Sequence, residues 1–541
     1  MVFRPKLLDT LRSYSKGKLI SDLVAGLIVA IIALPLSIAL AIASGVGPEK
    51  GLYTAIVAGF VIALFGGSNV NISGPTAAFA TIVAGIVATE GLSGLVIATI
   101  LAGIILVLMG VLRLGSLIKY IPFTITTGFT AGIAVTILVG QIKDFMGLTF
   151  PEGAAPVETM EKMEAIIESI TTVNWQSLLV GVLSLAILIV WPFISKKIPG
   201  SLIVVLLGSL AVNLLDMNVN TIGDLYQITS ALPKPELPAI DLGLILHLLP
   251  NAFTIALLAG IESLLSCVVS DGMINDKHNS NTELIAQGLG NIFSGIFGGI
   301  PATGAIARTA ANVKNGGRSP IAGMTHAIVL LLILVVLMPY AAWIPMPVIA
   351  AILFMVAYNM SEWRRFLHIC KTASLGDILV LVATFVLTVV FDLVVAIVVG
   401  LILTCVLFMK KMADSSSART WDKDGVKAIP DGVMVYEING PLFFAATDKL
   451  LDLPRDDGLK VLILRASNLQ YMDSSAIHSL EKLVADAKVD GVTLIFSHIH
   501  AEPLVRLQKA GLYDAIGEEN FCHHIDEALA RAEAILAEEV K

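Results

Sequence analysis

Long apolar runs divided by short polar breaks fill the chain from Leu19 to Lys411. A helix crosses a bilayer with about 20 apolar residues. On that length the runs predict fourteen spans, at 22–45, 51–66, 74–90, 93–112, 120–141, 173–194, 200–215, 248–270, 284–298, 302–312, 319–340, 345–358, 374–391 and 392–411. The pattern breaks at MADSSSARTWDKDG, which is polar and rich in small residues, as a linker is. Beyond it the runs shorten. VMVYEING, KVLILRAS and VTLIFSHI read as strands, SSAIHSLEKLVADAKVDG reads as a helix between the second and third, and further helices follow. That alternation predicts an α/β sheet. The expected organisation is therefore a lead-in at 1–18, a membrane domain at 19–411, a linker at 412–429 and a soluble domain at 430–541.

Composition agrees with a membrane protein. The chain has 541 residues, 56% hydrophobic and 14% charged, with a mean hydropathy of +0.86. Soluble domains carry about 25% charge. The net charge of −8 gives no sign of a nucleic-acid partner. Cys267, Cys370, Cys405 and Cys522 are scattered, with neither a disulfide framework nor zinc spacing. No short apolar core with a small-residue cleavage site opens the chain, so residues 1–18 read as a cytosolic lead-in. Basic residues gather at the N-terminus (Arg4, Lys6, Arg12, Lys16, Lys18) and in alternate loops (Arg113 and Lys119, Lys196 and Lys197, Lys314 and Arg318, Arg364 and Arg365, Lys410 and Lys411). With an even number of spans, the positive-inside rule puts both termini in the cytoplasm.

Two stretches echo each other: LFGGSNVNISGPTAAFATI at 64–82 and IFGGIPATGAIARTAANV at 296–313. Each has Phe-Gly-Gly closing an apolar run, a few extended residues, a proline (Pro75, Pro301) and a run too short to span alone. Proline suits a first helical turn, so each reads as a half-helix that starts inside the membrane. Irregular backbone at that depth lines a cavity or is buried in protein. By the span order the third and tenth segments run in opposite directions, so their N-termini point at each other near the midplane. Facing helix N-termini make an anion site. The alternative is a pair of ordinary Gly/Pro kinks.

Two charges lie within these apolar surroundings, Glu262 and Arg308. A charge at membrane depth marks a substrate or ion pathway by default. Arg308, about two turns into the second half-helix, would add a full positive charge to the anion cavity. Glu262 and Ser266 share a helix face at i and i+4. They could ligate Na⁺, or a desolvated Glu262 could carry H⁺. A permanent Glu262–Arg308 pair is the plainer reading. Asp392 reads as an outer-loop residue, and Asp276, Lys277 and His278 as a cytoplasmic turn.

ALPLSIALAIASGVGPEKGLY, NISGPTAAF, IESLLSCVVSDGM and KHNSNTELIAQGLGNIFSGIFGGIPATGAIARTAANVKNGGRSPIAG resemble the SulP family, the sulfate-permease anion transporters, over about 18–541. The resemblance implies fourteen spans in a 7+7 inverted repeat, core and gate domains, elevator-like alternating access and a homodimer in the cell inner (plasma) membrane. It implies an anion held by Thr76, Ala77, Ala78 and Phe79 on one half-helix and Thr303, Gly304, Ala305 and Arg308 on the other. The coupling position falls on Glu262, with Ser266 one turn on. Na⁺-coupled bicarbonate members carry Asp and Thr there, so Glu and Ser lean toward H⁺. GPTAAF, QIKDFMGL and GAIARTAANV look most like members that move C4-dicarboxylates such as succinate, fumarate or aspartate. Sulfate, bicarbonate and chloride fit the same electrostatics.

LRASNLQYMDSSAIHSLEKL resembles the STAS domain, in whose anti-sigma-factor-antagonist relatives an Asp-Ser-Ser loop is phosphorylated. That makes Ser474 or Ser475 a candidate phosphosite and a cytoplasmic protein a candidate partner. Helix capping by Asp473 and the serines explains the same residues more simply. The expected function is H⁺-coupled symport of a C4-dicarboxylate, with H⁺- or Na⁺-coupled transport of sulfate or bicarbonate as the alternative and no cofactor beyond H⁺ or Na⁺. Rival readings are a channel-like or exchange-mode conductor, a membrane-anchored anion sensor and a nucleobase permease. No phosphate-binding loop, metal triad or nucleophile elbow points to an enzyme.

Overall fold

The computed structural model describes residues 3–12, 14–116, 122–151, 156–195, 198–235, 242–391, 393–421, 429–447 and 458–539. Lys119, Lys196, Lys197 and Asp392, used above for topology, lie outside the described residues. Two compact units are present, residues 1–401 and 402–541.

In the first unit the elements run α1 (Lys6–Leu11), α2 (Lys16–Ala43), α3 (Pro48–Phe65), β1 (Ser73–Gly74), a 3-10 turn (Ala77–Phe79), α4 (Ala80–Val111), α5 (Phe123–Met146) and α6 (Thr159–Glu168). They continue with α7 (Trp175–Ile194), α8 (Gly200–Leu214), α9 (Ile222–Leu225), α10 (Leu242–Ile274), α11 (Ser280–Ile296), β2 (Thr303–Gly304), α12 (Ile306–Lys314) and α13 (Pro320–Leu337). Last come α14 (Met346–Ser361), α15 (Trp363–Thr372), α16 (Leu375–Val390) and α17 (Leu393–Ser415), the last of which runs on into the second unit.

Among the described residues nine helical stretches are long and apolar enough to cross a membrane, and α8 and α16 are shorter apolar helices. One of the nine, Ala77–Val111, is two helices, because Gly91 takes φ +68° and breaks the helix. Only glycine adopts that conformation without a Cβ clash. Adding the amphipathic α11 and the nine-residue α12 gives fourteen helical segments among the described residues.

The helices pack in two sets. In one, α4 lies on α10 and α11, and α13 lies on α2 and α3. In the other, α5 lies on α14 and α16, and α7 on α8 and α14. Lipid supplies no hydrophobic drive between helices, so close approach through small residues holds them. A Cβ on Gly103 of α4 would stand 2.6 Å from the Gly288 carbonyl oxygen of α11, and one on Gly288 2.5 Å from that of Gly103. The two backbones therefore touch.

The second unit is a five-stranded sheet ordered β3 (Ser417–Thr420), β4 (Val433–Asn439), β5 (Val461–Asn468), β6 (Thr493–Ser497), β7 (Phe521–Cys522). All neighbours are parallel except β3 and β4. Its remaining helices are α18 (Ser474–Val489), α19 (Ala501–Lys509), α20 (Leu512–Ile516) and α21 (Ile525–Glu539). Strand residues alternate between two cores. Leu462, Leu464 and Phe496 pack with Leu480 and Leu483 of α18, whereas Val435, Ile463 and Ile495 pack with Ala528, Leu529 and Ala532 of α21. The stretch expected to be a linker is helical to Ser415, and then Ser417–Thr420 pairs with β4. An edge strand draws on backbone hydrogen bonds, which polar residues make as well as apolar ones.

Candidate functional site

β1 and β2 are two residues each. They pair antiparallel, Ser73 with Gly304 and Gly74 with Thr303. A half-helix follows each strand, so the two helices leave the pair in opposite directions and their N-termini meet at it. Neither Thr76 nor Ala305 caps its helix with a side chain. The first amides of a helix have no intrahelical acceptor, so both ends carry free donors and partial positive charge.

The junction differs from the sequence expectation in two respects. Neither proline occupies a first helical turn. Pro75 precedes the Thr76 cap, and Pro301 lies before β2. Each instead stiffens an extended segment, since the ring fixes φ and disfavours helix at the preceding residue. Because β2 takes up Thr303 and Gly304, α12 begins at Ile306, so Arg308 is its third residue and not two turns along.

Buried side chains brace the strand pair. Thr309 Oγ1 accepts from the Ile72 amide (2.9 Å), and Asn312 donates to the Val70 carbonyl (2.9 Å). Asn291 of α11 both accepts from the Ala302 amide (2.8 Å) and donates to the Ala302 carbonyl (2.9 Å), as a neighbouring strand would. Thr303 donates to the Ala259 carbonyl of α10 (2.8 Å). Beneath them Glu283, 1% exposed, accepts from the amides of Gly67 (2.8 Å) and Ser68 (3.2 Å), Asn71 Nδ2 (2.7 Å), Gln287 Nε2 (3.1 Å) and Ser263 Oγ (3.3 Å). A buried carboxylate is tolerated when such donors surround it. Glu283 and Asn71 went unnoticed in the sequence. The signal for Glu283 was Glu283, Gln287 and Asn291 at i, i+4 and i+8, a polar stripe on an amphipathic helix.

Arg308, 3% exposed, donates from Nη2 to the Pro75 carbonyl, across to the opposite half-helix. Its Nη1 has no protein acceptor among the described residues. No ion pair to Glu262 is formed among the described residues. Glu262 instead accepts from Thr76 Oγ1 at 2.9 Å. Ser266 is turned to the scaffold: its hydroxyl bonds Asn71 Oδ1 (2.8 Å) and Thr309 Oγ1 (3.1 Å). The structure therefore brings Glu262 to Thr76 and Ser266 to Asn71, and does not join Glu262 to Ser266. Ala77, Ala78, Phe79, Thr303, Gly304 and Ala305 are all buried around the junction. An unsatisfied guanidinium nitrogen between two uncapped helix N-termini suits a small anion.

In the second unit Asp473 caps α18 by accepting from the Ala476 amide (2.9 Å), and its other oxygen accepts from Phe444 N–H (2.9 Å). Ser474 is exposed and Ser475 half-buried.

Residues 19–384 match the model of the sulfate permease family, and residues 426–528 that of the STAS domain. The chain is 40% identical to the putative sulfate transporter YvdB of Bacillus subtilis, over 95% of this chain and 98% of that one. It is 29% identical to the bicarbonate transporter BicA of Synechocystis, over 96% and 95%. Among solved structures it resembles the transmembrane domain of a cyanobacterial BicA, with 31% identity, TM-score 0.65, and coverage of 71% of this chain and 98% of that one. It also shares its fold with SLC26A9, with TM-score 0.88 at 20% identity, over 99% and 93%. The paired half-helices thus sit in a chain that belongs to the sulfate permease family of anion transporters, with a STAS domain at its C-terminal end.

Proposed function

We propose that this chain is a secondary active transporter that binds one small inorganic oxyanion, sulfate or bicarbonate, between Thr76–Phe79 and Thr303–Arg308 and carries it with H⁺. The observation that carries the reading is the antiparallel β1–β2 pair, which sets two uncapped helix N-termini together beside the unpaired Nη1 of Arg308. The anion would take the free amides and that nitrogen. The names of the relatives favour sulfate and bicarbonate. A C4-dicarboxylate is the second reading, favoured by GPTAAF, QIKDFMGL and GAIARTAANV.

Coupling follows from the Thr76–Glu262 bond, which joins the half-helix cap to a carboxylate. A charged Glu262 repels an arriving anion, and a protonated one does not. Proton and anion therefore assist each other's binding, the reciprocal linkage that symport needs. Na⁺ would need further oxygen ligands beside Glu262, and Ser266 is held by Asn71 and Thr309. We assign alternating access to movement of the helix set containing α4 and α10–α13 against the set containing α5, α14 and α16. We place both termini in the cytoplasm, expect a homodimer in the plasma membrane, and leave Ser474 and Ser475 as the STAS phosphosite candidates.

Uptake of labelled sulfate, bicarbonate and succinate into proteoliposomes, under an imposed H⁺ or Na⁺ gradient, tests this. Sulfate or bicarbonate uptake driven by H⁺ supports it. Succinate uptake favours the second reading. Exchange or current indifferent to both gradients overturns the coupling.

A further inference from the structure

Four of the nine histidines of the chain fall between 498 and 524, in SHIH and CHH. The fold gathers two of them. His498 directly follows β6, and His524 comes two residues after the parallel β7 and just before α21. Both therefore lie at the carboxyl ends of neighbouring parallel strands, where open α/β sheets place their ligands. His524 Nδ1 is 3.2 Å from His498 Nε2, and the rings meet edge to face with centroids 4.8 Å apart.

Two imidazole nitrogens on one tetrahedral zinc ion, each about 2.0–2.1 Å from the metal, stand about 3.3 Å apart. The observed spacing matches. Two other features set His498 up as a ligand. Its φ is +58°, a strained conformation for a residue with a Cβ and one that tends to mark functional positions. Its other ring nitrogen, Nδ1, lies 3.3 Å from Ser497 Oγ. That is the outer contact that fixes the tautomer of a metal-binding histidine and leaves Nε2 free. The N-terminus of α21 disfavours a cation, but Asp526 and Glu527 in its first turn offset it, and Arg465 is paired with Glu437.

We infer that His498 and His524 form a binding site for a divalent transition-metal ion of the zinc class on the STAS domain. No third His, Cys, Asp or Glu joins the pair among the described residues, so water completes the coordination and the ion exchanges readily. An N–H···N hydrogen bond between the rings holds the pair when no metal is bound.

The test is a calorimetric titration of Zn²⁺ into the full chain, purified in detergent and stripped with chelator. His498→Asn keeps a residue that tolerates positive φ, His524→Gln removes the second ligand, and His500→Gln is the control. His500 already contacts the Ser467 carbonyl at 2.8 Å. The proposal expects one Zn²⁺ per chain in the wild type and in His500→Gln, with affinity lower by about tenfold or more in each of the other two variants. Absence of saturable Zn²⁺ binding in the wild type, or binding unchanged in both His498→Asn and His524→Gln, overturns it.

Discussion

Arg308 Nη1 occupies the space that a side chain on Gly74 would need: a Cβ there would stand 2.5 Å from the nitrogen. The missing side chain on β1 is what lets the guanidinium lie against the strand pair. Gly74→Ala therefore forces the guanidinium aside while keeping its charge. Misplacement of a binding group by about 1 Å can cost about 100-fold in rate. Anion uptake in this variant should fall at least about tenfold with the protein still folded and monodisperse; wild-type uptake would show that the placement of Arg308 is unimportant.

Glu262→Gln keeps the shape of the side chain and an oxygen for Thr76, but not the ionisable proton. In proteoliposomes it should retain anion exchange and lose accumulation driven by a pH gradient. Thr76→Val removes the hydroxyl that donates to Glu262 and should shift the pH dependence of uptake. If accumulation in Glu262→Gln still followed the proton gradient, another group would carry the proton.

Glu283 supports the site from beneath. Glu283→Ala removes the acceptor of five buried donors. Gln287 Nε2 keeps Ser73 Oγ (3.0 Å) and Asn71 Nδ2 keeps Ser263 Oγ (3.4 Å). That leaves the Gly67 and Ser68 amides and the Ser263 hydroxyl, at about 1–3 kcal/mol for each that finds no other partner. Several such losses approach the whole stability of a domain. The variant should lose its thermal transition or fail to accumulate in the membrane, unlike Glu262→Gln. Unchanged thermal stability would mean the network is not structural.

The N-terminal helix α1 is tied down by a polar cluster outside the spans. Asp276 accepts from Asn69 Nδ2 (2.6 Å) and contacts Lys6 Nζ (3.3 Å). Burial alone would raise the Asp276 carboxyl, but the Lys277 amide, Asn69 and Lys6 outweigh it and hold it below the usual range. A lowered folded value means its stabilisation is present above the unfolded value of about 3.9 and lost as pH falls through the folded one. Being half-exposed, the ion pair is worth about 1 kcal/mol or less. Asp276→Asn should speed amide exchange in Lys6–Leu11 at neutral pH, and identical exchange would dismiss the tether.

Run length and composition made the helical segments legible, as did the Phe-Gly-Gly echo that points to the half-helices. Those signals depend on many residues at once. β1 and β2 are two residues each, too short for any periodicity, and only their pairing fixes where α12 starts and hence where Arg308 stands. The i, i+4 rule puts Glu262 and Ser266 on one helix face. It could not tell that Asn71, reached across nearly two hundred residues of sequence, would take the Ser266 hydroxyl. β3 was hidden in polar residues for a related reason, because an edge strand is made by its neighbour's backbone.

Calorimetric titration of the transported anion into the wild-type chain and Arg308→Ala measures what the guanidinium contributes to anion binding. A hydrogen bond from a charged group contributes about 1.5–3 kcal/mol, roughly 10–150-fold in affinity. Arg308→Ala should lose affinity in that range or more, with its thermal stability retained. Equal affinity in the two proteins would contradict this, and the anion would then have to bind away from the junction of the half-helices.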